Sequence, residues 1–462
     1  MSTAAVPRDA VPVGPPPALR VYCNRNLRMS SIAAIGFDMD HTLALYNAET
    51  FEHLCFAMAL RLLVRQKGYP ATILDLAYEP QQAQRGLIVD KRLGNLLKTD
   101  SHGYVSRVRH GARTLAREER REVYKRGRLR LSQDRYRVFD TLFDVPEGCL
   151  YAELVRLKDE EPDLIRSSYR ILFNDIREAV DTIHRDGSLK RTIMADLDRY
   201  FVRDPHLGDT LRRLRAAGKK LFLLTNSEVE YTAAVMRHAL ADDPSPLDEV
   251  FDLVICAARK PDFFVPRGKG RAVPRGKIEL LANARGNCYV GGDAFFLESK
   301  LGAFGDAILY FGDHTYGDIL RSKKSVGWRT AMIVPELEQE VAAQLALRDE
   351  FRALEEIEAR LEELEFRRDF HLRPGAPESV APPDLAAEIA AGLQRRSALQ
   401  RRTAAVYNPF WGSLFKEGRA ASRFGGQVKD FACIYTSRVS NFRPYPANRF
   451  FMNPGERLAH EL

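Results

Sequence analysis

Two aspartates, Asp38 and Asp40, directly follow a short apolar run and could carry nucleophilic and acid–base chemistry. The run, residues 31–37, reads SIAAIGF and predicts a buried strand that ends at the first aspartate. Side chains at positions i and i+2 leaving a strand point to the same side, so the two carboxyls are expected to lie close together. This closeness favours one protonated and one ionised group, which suits a nucleophile beside a general acid and base. An aspartate-rich turn or a helix cap is the structural alternative.

Polar side chains of three other kinds follow three further predicted strands. Hydroxyl and amide groups where a helix begins can bind an anion, or can simply cap that helix. A lysine at a strand end can neutralise a nucleophile and the oxygens of a transferred phosphoryl group, whereas an isolated lysine is usually a solvated surface residue. Two acids in a glycine-containing turn offer the oxygen ligands that Mg²⁺ prefers, or form a plain turn. In chain order these residues are Thr225, Asn226 and Ser227, then Lys260, then Asp313 and Asp318.

The four strand ends together predict one site. In a parallel sheet the carboxyl ends of the strands form the ligand crevice, so nucleophile, hydroxyls, lysine and acids are expected to meet there. The absence of nearby cysteines or clustered histidines in the sequence argues against zinc and leaves magnesium. Residues 270–277 look like a phosphate loop, but the glycines are one residue too far apart and Ile278 replaces the required Ser or Thr. That segment is predicted to be a basic surface loop.

The elements that position these residues predict an α/β fold. Short apolar strands alternate with helical patterns, which is typical of a doubly wound parallel sheet with crossover helices. The segment between the first strand and the next core strand is too long for a loop and predicts an inserted, mostly helical cap. The predicted divisions are a flexible lead-in at 1–30, a catalytic core at 31–47 and 200–336, the cap at 48–199, and C-terminal helices with an aromatic tail at 337–462.

Composition narrows the class of protein. The net charge of +8, from 70 basic and 62 acidic residues, fits an anionic substrate or effector as well as it fits nucleic acid. The six cysteines include no CxxC pair, which favours free thiols in a reducing compartment. No stretch approaches the ~18 to 20 apolar residues of a membrane span, and the N-terminus lacks an apolar signal core. A cytoplasmic protein without membrane contact is therefore expected.

The motifs resemble those of the haloacid dehalogenase superfamily and, within it, the cytosolic purine 5′-nucleotidase family that prefers IMP and GMP. The resemblance runs from about Arg20 to the tail. It is most specific in GFDMDHTLALY (36–46), RGLIVDKRLGNLLKTD (85–100), FDLVICAARKPDFF (251–264) and LYFGDHTYGDILRSKKSVGWRTAMIVPEL (309–337). Agreement of this kind in the cap as well as in the core supports the family over a chance match of catalytic motifs.

The resemblance implies a mechanism. Asp38 would attack phosphorus and form an aspartyl-phosphate, while Asp40 would protonate the leaving ribose 5′-oxygen and then activate water. The phosphoryl group would be held by the hydroxyl and amide residues at 225–227 and by Lys260. Mg²⁺ would be bound by Asp38, the backbone carbonyl of Asp40 and Asp313, with Asp318 in support.

The resemblance also assigns two nucleotide sites. The base and ribose of the substrate would meet Phe143, Arg177, Asp181, His184 and Lys190. Without the resemblance, an arginine and an aspartate four residues apart on a helix predict a surface ion pair instead. An activating, ATP-like nucleotide would bind Arg130, Asp140, Tyr316 and Lys324, where the family has Asn and Phe at the second and third positions. His41 stands where the family commonly has Tyr.

The sequence thus predicts a magnesium-dependent 5′-nucleotidase of purine monophosphates, with phosphoryl transfer to a second nucleoside and a homo-oligomeric state, a dimer or tetramer, as further expectations. Three alternatives stay open. One is a phosphatase of another phosphometabolite, and one is a regulatory binding protein that retains the fold. The third is nucleic-acid binding through the basic residues 113–137, which solvated helix faces explain equally well.

Overall fold

The computed structural model describes residues 14–124, 129–240, 247–265, 279–280, 286–372 and 383–455. The segment 270–277, which resembles a phosphate loop, lies outside the described residues. Among the helices that are described, none has both the length and the apolar character that a membrane crossing requires.

The strands are β1 Tyr22–Cys23, β2 Leu27–Arg28, β3 Ala34–Phe37, β4 Leu45–Tyr46, β5 Ile88–Asp90, β6 Asn95–Thr99, β7 Val105–His110, β8 Arg113–Thr114, β9 Tyr136–Val138, β10 Phe201–Val202, β11 Lys220–Leu224, β12 Leu253–Cys256, β13 Glu279–Leu280, β14 Cys288–Val290, β15 Ile308–Gly312, β16 Arg329–Ile333, β17 Lys416–Glu417, β18 Ala420–Ala421, β19 Ile434–Thr436 and β20 Phe450–Phe451.

The α-helices are α1 Ala48–Lys67, α2 Arg117–Val123, α3 Val145–Glu160, α4 Tyr169–Arg185, α5 Ser188–Met194, α6 Leu197–Tyr200, α7 Leu207–Ala216, α8 Val229–Ala239, α9 Leu247–Val250, α10 Ala294–Leu301, α11 Arg321–Val326, α12 Leu337–Ala346, α13 Arg348–Leu372, α14 Pro383–Ala404 and α15 Arg423–Phe431. A π-helical turn, Thr315–Leu320, precedes α11.

In the described part of the chain, the central sheet has nine strands in the order β1-β19-β16-β15-β3-β11-β12-β14-β13. The neighbours from β19 to β14 pair in parallel, and the two edge strands β1 and β13 pair antiparallel. Alternate residues of the strands enter two separate hydrophobic clusters, one packed with residues of α7 and α8 and the other with residues of α10. Both faces are therefore covered, which explains why the strands read as continuous apolar runs. The predicted doubly wound α/β fold is confirmed.

The core also draws on both ends of the chain, which corrects two predicted divisions. Residues 14–30 are not a flexible lead-in, because β1 pairs with β19 and the ring of Tyr22 stacks on that of Tyr435 with centroids 5.4 Å apart. The region after residue 337 is not separate from the core, because β19 lies inside the sheet beside β16. The first pairing joins Tyr22 to Tyr435 and the second joins Ala331 to Ile434, so local sequence patterns carry no sign of them.

Among its described residues, the cap contains a five-stranded antiparallel sheet, in the order β8-β7-β6-β5-β9, beside its helices. The sequence analysis did not predict this sheet. Its strands carry charged residues at inner positions, which conceals the alternation of a half-buried strand. Asp90, for example, is fully buried and accepts hydrogen bonds from Arg135 Nε at 2.8 Å and Nη2 at 2.6 Å.

A buried lysine fastens the cap to the C-terminal region. Lys98 on β6 donates hydrogen bonds from Nζ to the backbone carbonyls of Trp411 at 2.7 Å, Ser413 at 2.6 Å and Lys416 at 2.9 Å. Its Nζ also lies 3.1 Å from a carboxylate oxygen of Glu417. One ammonium thus satisfies three carbonyls and a carboxylate that packing removes from water.

Replacing this lysine tests its contribution to stability. Lys98→Met keeps the length of the side chain but leaves the carbonyls and Glu417 without the ammonium, so the free energy of unfolding is expected to fall by about 3–5 kcal/mol. Urea denaturation measures it. Lys67→Met is the matched control, because Lys67 pairs with Glu178 at the partly exposed surface, where an ion pair contributes about 0–1 kcal/mol. Equal losses in the two variants would contradict the prediction.

Candidate active site

The end of β3 presents Asp38 at the middle of the sheet. Its backbone N–H donates to the carbonyl of Phe311 on β15 at 2.9 Å, so the ladder continues to this residue. Its Oδ1 accepts a hydrogen bond from the Met39 N–H at 2.7 Å and lies 2.8 Å from Lys260 Nζ. The carboxylate is therefore held from two sides at the carboxyl end of the sheet.

Lys260 lies at the centre of the charged groups. Its Nζ is 2.7 Å from Asp318 Oδ1 as well as 2.8 Å from Asp38 Oδ1, and it donates to the Tyr310 hydroxyl at 2.9 Å. Burial lowers the pKa of Lys260, but the carboxylates of Asp318 and Asp38 outweigh it and raise that pKa to about 12. The side chain is therefore a fixed cation across the pH range in which enzymes work.

Asn226 holds this lysine in place. Its Nδ2 donates to the backbone carbonyl of Lys260 at 3.0 Å, and its Oδ1 accepts from the Lys260 N–H at 2.6 Å. The sequence predicts a phosphate contact for this residue, yet the side chain already bonds to the protein. The hydroxyl of Thr225 likewise accepts the backbone N–H of Ser227 at 3.0 Å. Phosphate binding by the three residues 225–227 stays a prediction.

Asp40 is oriented by two hydroxyls. Tyr46 donates to its Oδ1 at 2.7 Å and Ser227 donates to its Oδ2 at 3.0 Å. The hydroxyls of Tyr46 and Tyr231 are 2.8 Å apart, which extends the network. Burial raises the pKa of Asp40, while the hydrogen bonds from Tyr46 and Ser227 oppose that rise. A carboxyl whose pKa is raised keeps its proton to higher pH, as a general acid requires.

Three buried carboxylates form a candidate metal site. Asp38, Asp313 and Asp318 each offer one oxygen, and these oxygens all lie within 4.8 Å of one another. Asp313 Oδ2 is buried and has no hydrogen-bond partner among the described residues. Burial, followed by the charge of Asp318, raises the pKa of Asp313 to about 8. An unpartnered oxygen among clustered carboxylates fits a hard divalent cation such as Mg²⁺.

Two histidines flank the predicted base-stacking residue Phe143. Its ring centroid lies 4.6 Å from that of His41 and 5.6 Å from that of His184. The Nε2 atoms of both histidines are buried without a partner among the described residues. Burial lowers the pKa of His41 to about 3, so this imidazole is neutral. The structure thus brings Phe143 and His184 together beside His41, the residue that follows Asp40.

Arg177 is surrounded by carboxylates. Its guanidinium lies 3.1 Å from Asp144, 2.7 Å from Glu147 and 3.1 Å from Asp181. The ion pair between Arg177 and Asp181, which helical spacing predicts, is therefore present. Asp144 and Glu147 were missed by the sequence analysis. Their spacing could have revealed them, since two acids three residues apart, one just before α3 and one in its first turn, face the same side of a helix.

Lys190, the last predicted base and ribose residue, reaches the catalytic core from the cap. Its Nζ forms an ion pair with Glu228, one residue after Ser227. The same Nζ lies 5.2 Å from the ring centroid of Tyr231. The cap lysine is thus placed next to the hydroxyl network around Asp40, whose pKa its charge lowers.

Three of the four predicted effector residues, Asp140, Tyr316 and Lys324, lie around α15. Gln427 donates to Asp140 at 3.4 Å, and Lys324 Nζ lies 5.2 Å from the ring centroid of Phe431. The π-helical turn that carries Tyr316 contacts the same helix. Arg130 is exposed. Effector binding at these four positions stays a prediction.

A cavity of about 620 Å³ lies beside residues 41–46, between the cap and the ends of β16 and β19. His41 and Tyr46 form one wall, and Glu52 and Arg85 from the cap line it as well. Glu52 is buried and accepts a hydrogen bond from the Tyr78 hydroxyl. Burial raises the pKa of Glu52 from 4.5 to about 7, although the bond from Tyr78 lowers it.

Comparison with known proteins decides the family. The sequence model of the 5′ nucleotidase family matches residues 21–462. The chain belongs to the 5′ nucleotidase family. Similar relatives are a 5′-nucleotidase domain-containing protein of Dictyostelium discoideum, 31% identical over 96% of this chain and 75% of its own, and human 5′-nucleotidase domain-containing protein 2, 27% identical over 96% and 85%. As a member of this family, the chain is a phosphoric monoester hydrolase, as the sequence predicts.

Two solved structures are similar to parts of this 5′ nucleotidase family member. An archaeal β-phosphoglucomutase from Pyrococcus has a TM-score of 0.30 and 12% identity, covering 66% of this chain and 87% of that one. A predicted phosphoglycolate phosphatase from Haemophilus somnus has a TM-score of 0.29 and 15% identity, covering 66% and 86%. At TM-scores this low, neither adds to the assignment.

The Glu52 carboxyl predicts a pH dependence of stability. A carboxyl whose pKa is higher in the folded state than in the unfolded state stabilises the fold below pH 4.5, and this contribution is lost as pH rises through about 7. In the wild type, the free energy of unfolding should therefore fall by about 3 kcal/mol between pH 4.5 and 8. In Glu52→Gln this fall should be absent. Urea titrations at both pH values measure it, with Glu178→Gln at the surface as control. A wild-type pH profile in Glu52→Gln would refute it.

Proposed function

We propose that the protein is a Mg²⁺-dependent 5′-nucleotidase that hydrolyses purine nucleoside 5′-monophosphates through an aspartyl-phosphate on Asp38. The observation that carries the proposal is the arrangement at the end of β3. Asp38 is held by Lys260, and Asp40, two residues later, is held by Tyr46 and Ser227. One carboxylate is thus paired with a cation, and the other is set in a network that supports proton transfer.

In the first half of the reaction, Asp38 attacks phosphorus and the ribose 5′-oxygen leaves. The bonds to Asp38 Oδ1 from Met39 and Lys260 fix the plane of the carboxylate, which leaves Oδ2 for attack. Asp40 gives its proton to the 5′-oxygen as the P–O bond breaks. Lys260 neutralises charge on the phosphoryl oxygens, and positioning of this kind accounts for most catalysis of phosphoryl transfer.

In the second half, Asp40 takes a proton from water, which attacks the aspartyl-phosphate and releases inorganic phosphate and Asp38. If a nucleoside hydroxyl replaces water, the same steps transfer the phosphoryl group to it. Asp38, Asp313 and the backbone carbonyl of Asp40 would hold the Mg²⁺ ion, with Asp318 in support, and the ion supplies further charge neutralisation when bound.

Substrate choice is assigned to the cap. Phe143 would stack on the base, His184 and Lys190 would approach the ribose, and Arg177 with Asp181 would read the edge of the base.

One observation favours a second candidate, a phosphatase of another phosphometabolite. Arg177 already pairs with the carboxylates of Asp144 and Glu147, so a base must share it.

The chemical step is tested by substituting the two aspartates. Asp38→Asn replaces the attacking oxyanion by an amide of the same shape, so neither phosphate release from IMP nor an acid-stable phosphoenzyme should be detectable. Asp40→Asn should lower kcat by about 10²–10⁴-fold, because it removes general acid–base catalysis. Single-turnover assays with ³²P-labelled substrate measure both. Wild-type turnover in Asp38→Asn would refute the proposed nucleophile.

The substrate class is tested with a panel of phosphate esters and Mg²⁺. IMP and GMP should show the highest kcat/KM, above AMP, CMP, UMP and non-nucleotide esters. Phe143→Ala should reduce kcat/KM for IMP by about 10-fold or more, since base–aromatic stacking contributes about 1–3 kcal/mol. It should leave the turnover of glycerol 3-phosphate unchanged, because that ester has no ring to stack on Phe143. A high rank for a non-nucleotide ester would support the second candidate function instead.

A further inference from the structure

One arginine of the cap reaches into the core at the candidate metal site. Arg85 lies on the cap between a short 3₁₀ turn, Pro80–Gln82, and β5. Its side chain has no solvent exposure, which is rare for an arginine. No predicted site of the sequence includes it, and none of the steps proposed above uses it.

The guanidinium joins three separate parts of the core. Its Nη1 donates to the backbone carbonyl of Asp313 at 3.0 Å. Its Nε and Nη2 donate to the two carboxylate oxygens of Glu336, which precedes α12, at 2.8 Å and 2.5 Å. The carbon of the guanidinium lies 4.8 Å from the ring centroid of Phe424 on α15. Two-pronged pairing with Glu336 sets the plane of the guanidinium, and this plane aims Nη1 at Asp313.

The contact with Asp313 matters because that residue carries the unpartnered oxygen. Asp313 Oδ2 is buried without a hydrogen bond among the described residues, so no side-chain bond to that oxygen sets the direction of the carboxylate. Its position depends on the backbone that follows β15, and Arg85 holds that backbone from the cap side. Groups that orient a metal ligand commonly change metal affinity when they are removed.

We propose that Arg85 is a positioning residue for the divalent cation: the cap, through this guanidinium, holds the Asp313 loop in its metal-binding geometry. The proposal rests on the proposed function for the role of Asp313. It makes cation affinity depend on the cap being docked on the core. Lysine cannot replace the arginine here, since a single ammonium cannot donate two parallel bonds to Glu336 and a third in the same plane to Asp313.

A second cap arginine supplies a matched control. Arg107 on β7 also joins the cap to another part of the chain with a carboxylate and a backbone carbonyl. Its Nε lies 3.2 Å from both oxygens of Glu417, and its Nη1 donates to the carbonyl of Phe410 at 3.3 Å. These partners belong to the C-terminal region and include no candidate metal ligand.

The experiment measures Mn²⁺ binding to the full-length protein by electron paramagnetic resonance, without substrate. Arg85→Lys should raise the Kd for Mn²⁺ by about 10-fold or more, and the Mg²⁺ concentration for half-maximal activity should rise in parallel. Arg107→Lys should leave both unchanged, even where urea denaturation shows a similar loss of stability. Loss of stability alone therefore does not count as support.

An unchanged Kd for Mn²⁺ in folded Arg85→Lys would overturn the proposal, and so would the absence of Mn²⁺ binding by the wild type. If Arg85→Lys does not fold, Glu336→Gln takes its place, because it weakens the pairing that aims the guanidinium while Arg85 remains. A wild-type Kd in that variant would also overturn it. Because binding is measured without substrate, failure of the wild type to hydrolyse nucleotides would count against the proposed function and not against Arg85.

Discussion

The catalytic end of the sheet depends on one buried cation. Asp38 and Asp318 are both buried, and taking charged carboxylates out of water is expensive unless a partner compensates them. Lys260 lies within 2.8 Å of Asp38 and 2.7 Å of Asp318, so a single ammonium compensates both. Burial raises the pKa of Asp38, and the charge of Lys260 opposes it. The bonds from Asn226 to the backbone of Lys260 therefore act indirectly on Asp38, the proposed nucleophile, through the placement of this charge.

Strand order explains why the groups meet and why the sequence could predict the site. β3 pairs with β15 on one side and β11 on the other, and the register places Phe37 opposite both Phe311 and Leu223. The residues that follow these strands therefore end at one level, and Lys260 arrives from the next strand, β12. Each strand end could be located from its apolar run, and the parallel order followed from the alternation with helices. Catalytic candidates could thus be named without any knowledge of distances.

What the sequence could not predict comes from contacts between distant segments. β1 and β19 pair although they lie near opposite ends of the chain. The strands of the cap sheet carry charged residues at buried positions, so their sequences lack the alternation of a half-buried strand. Arg85 is a single polar residue in a loop, and only its docking on Asp313 and Glu336 gives it a role. The sequence likewise contained no sign of a role for Tyr46, because its spacing from Asp40 does not predict a hydrogen bond between the two side chains. Such roles depend on how the cap packs on the core, and neither propensity nor periodicity encodes this.

The same packing bears on the proposed recognition of a base by the cap. Arg177 faces Asp144, Glu147 and Asp181, so its charge is already compensated. Within the described part of the chain, one oxygen of Glu147 is buried without a partner. A base edge that only accepts hydrogen bonds would compete with these carboxylates for the guanidinium. A base edge that also donates could bond to a carboxylate and leave the guanidinium paired. The acidic surroundings of Arg177 thus favour a donor-bearing edge, because such an edge adds bonds without breaking a buried ion pair.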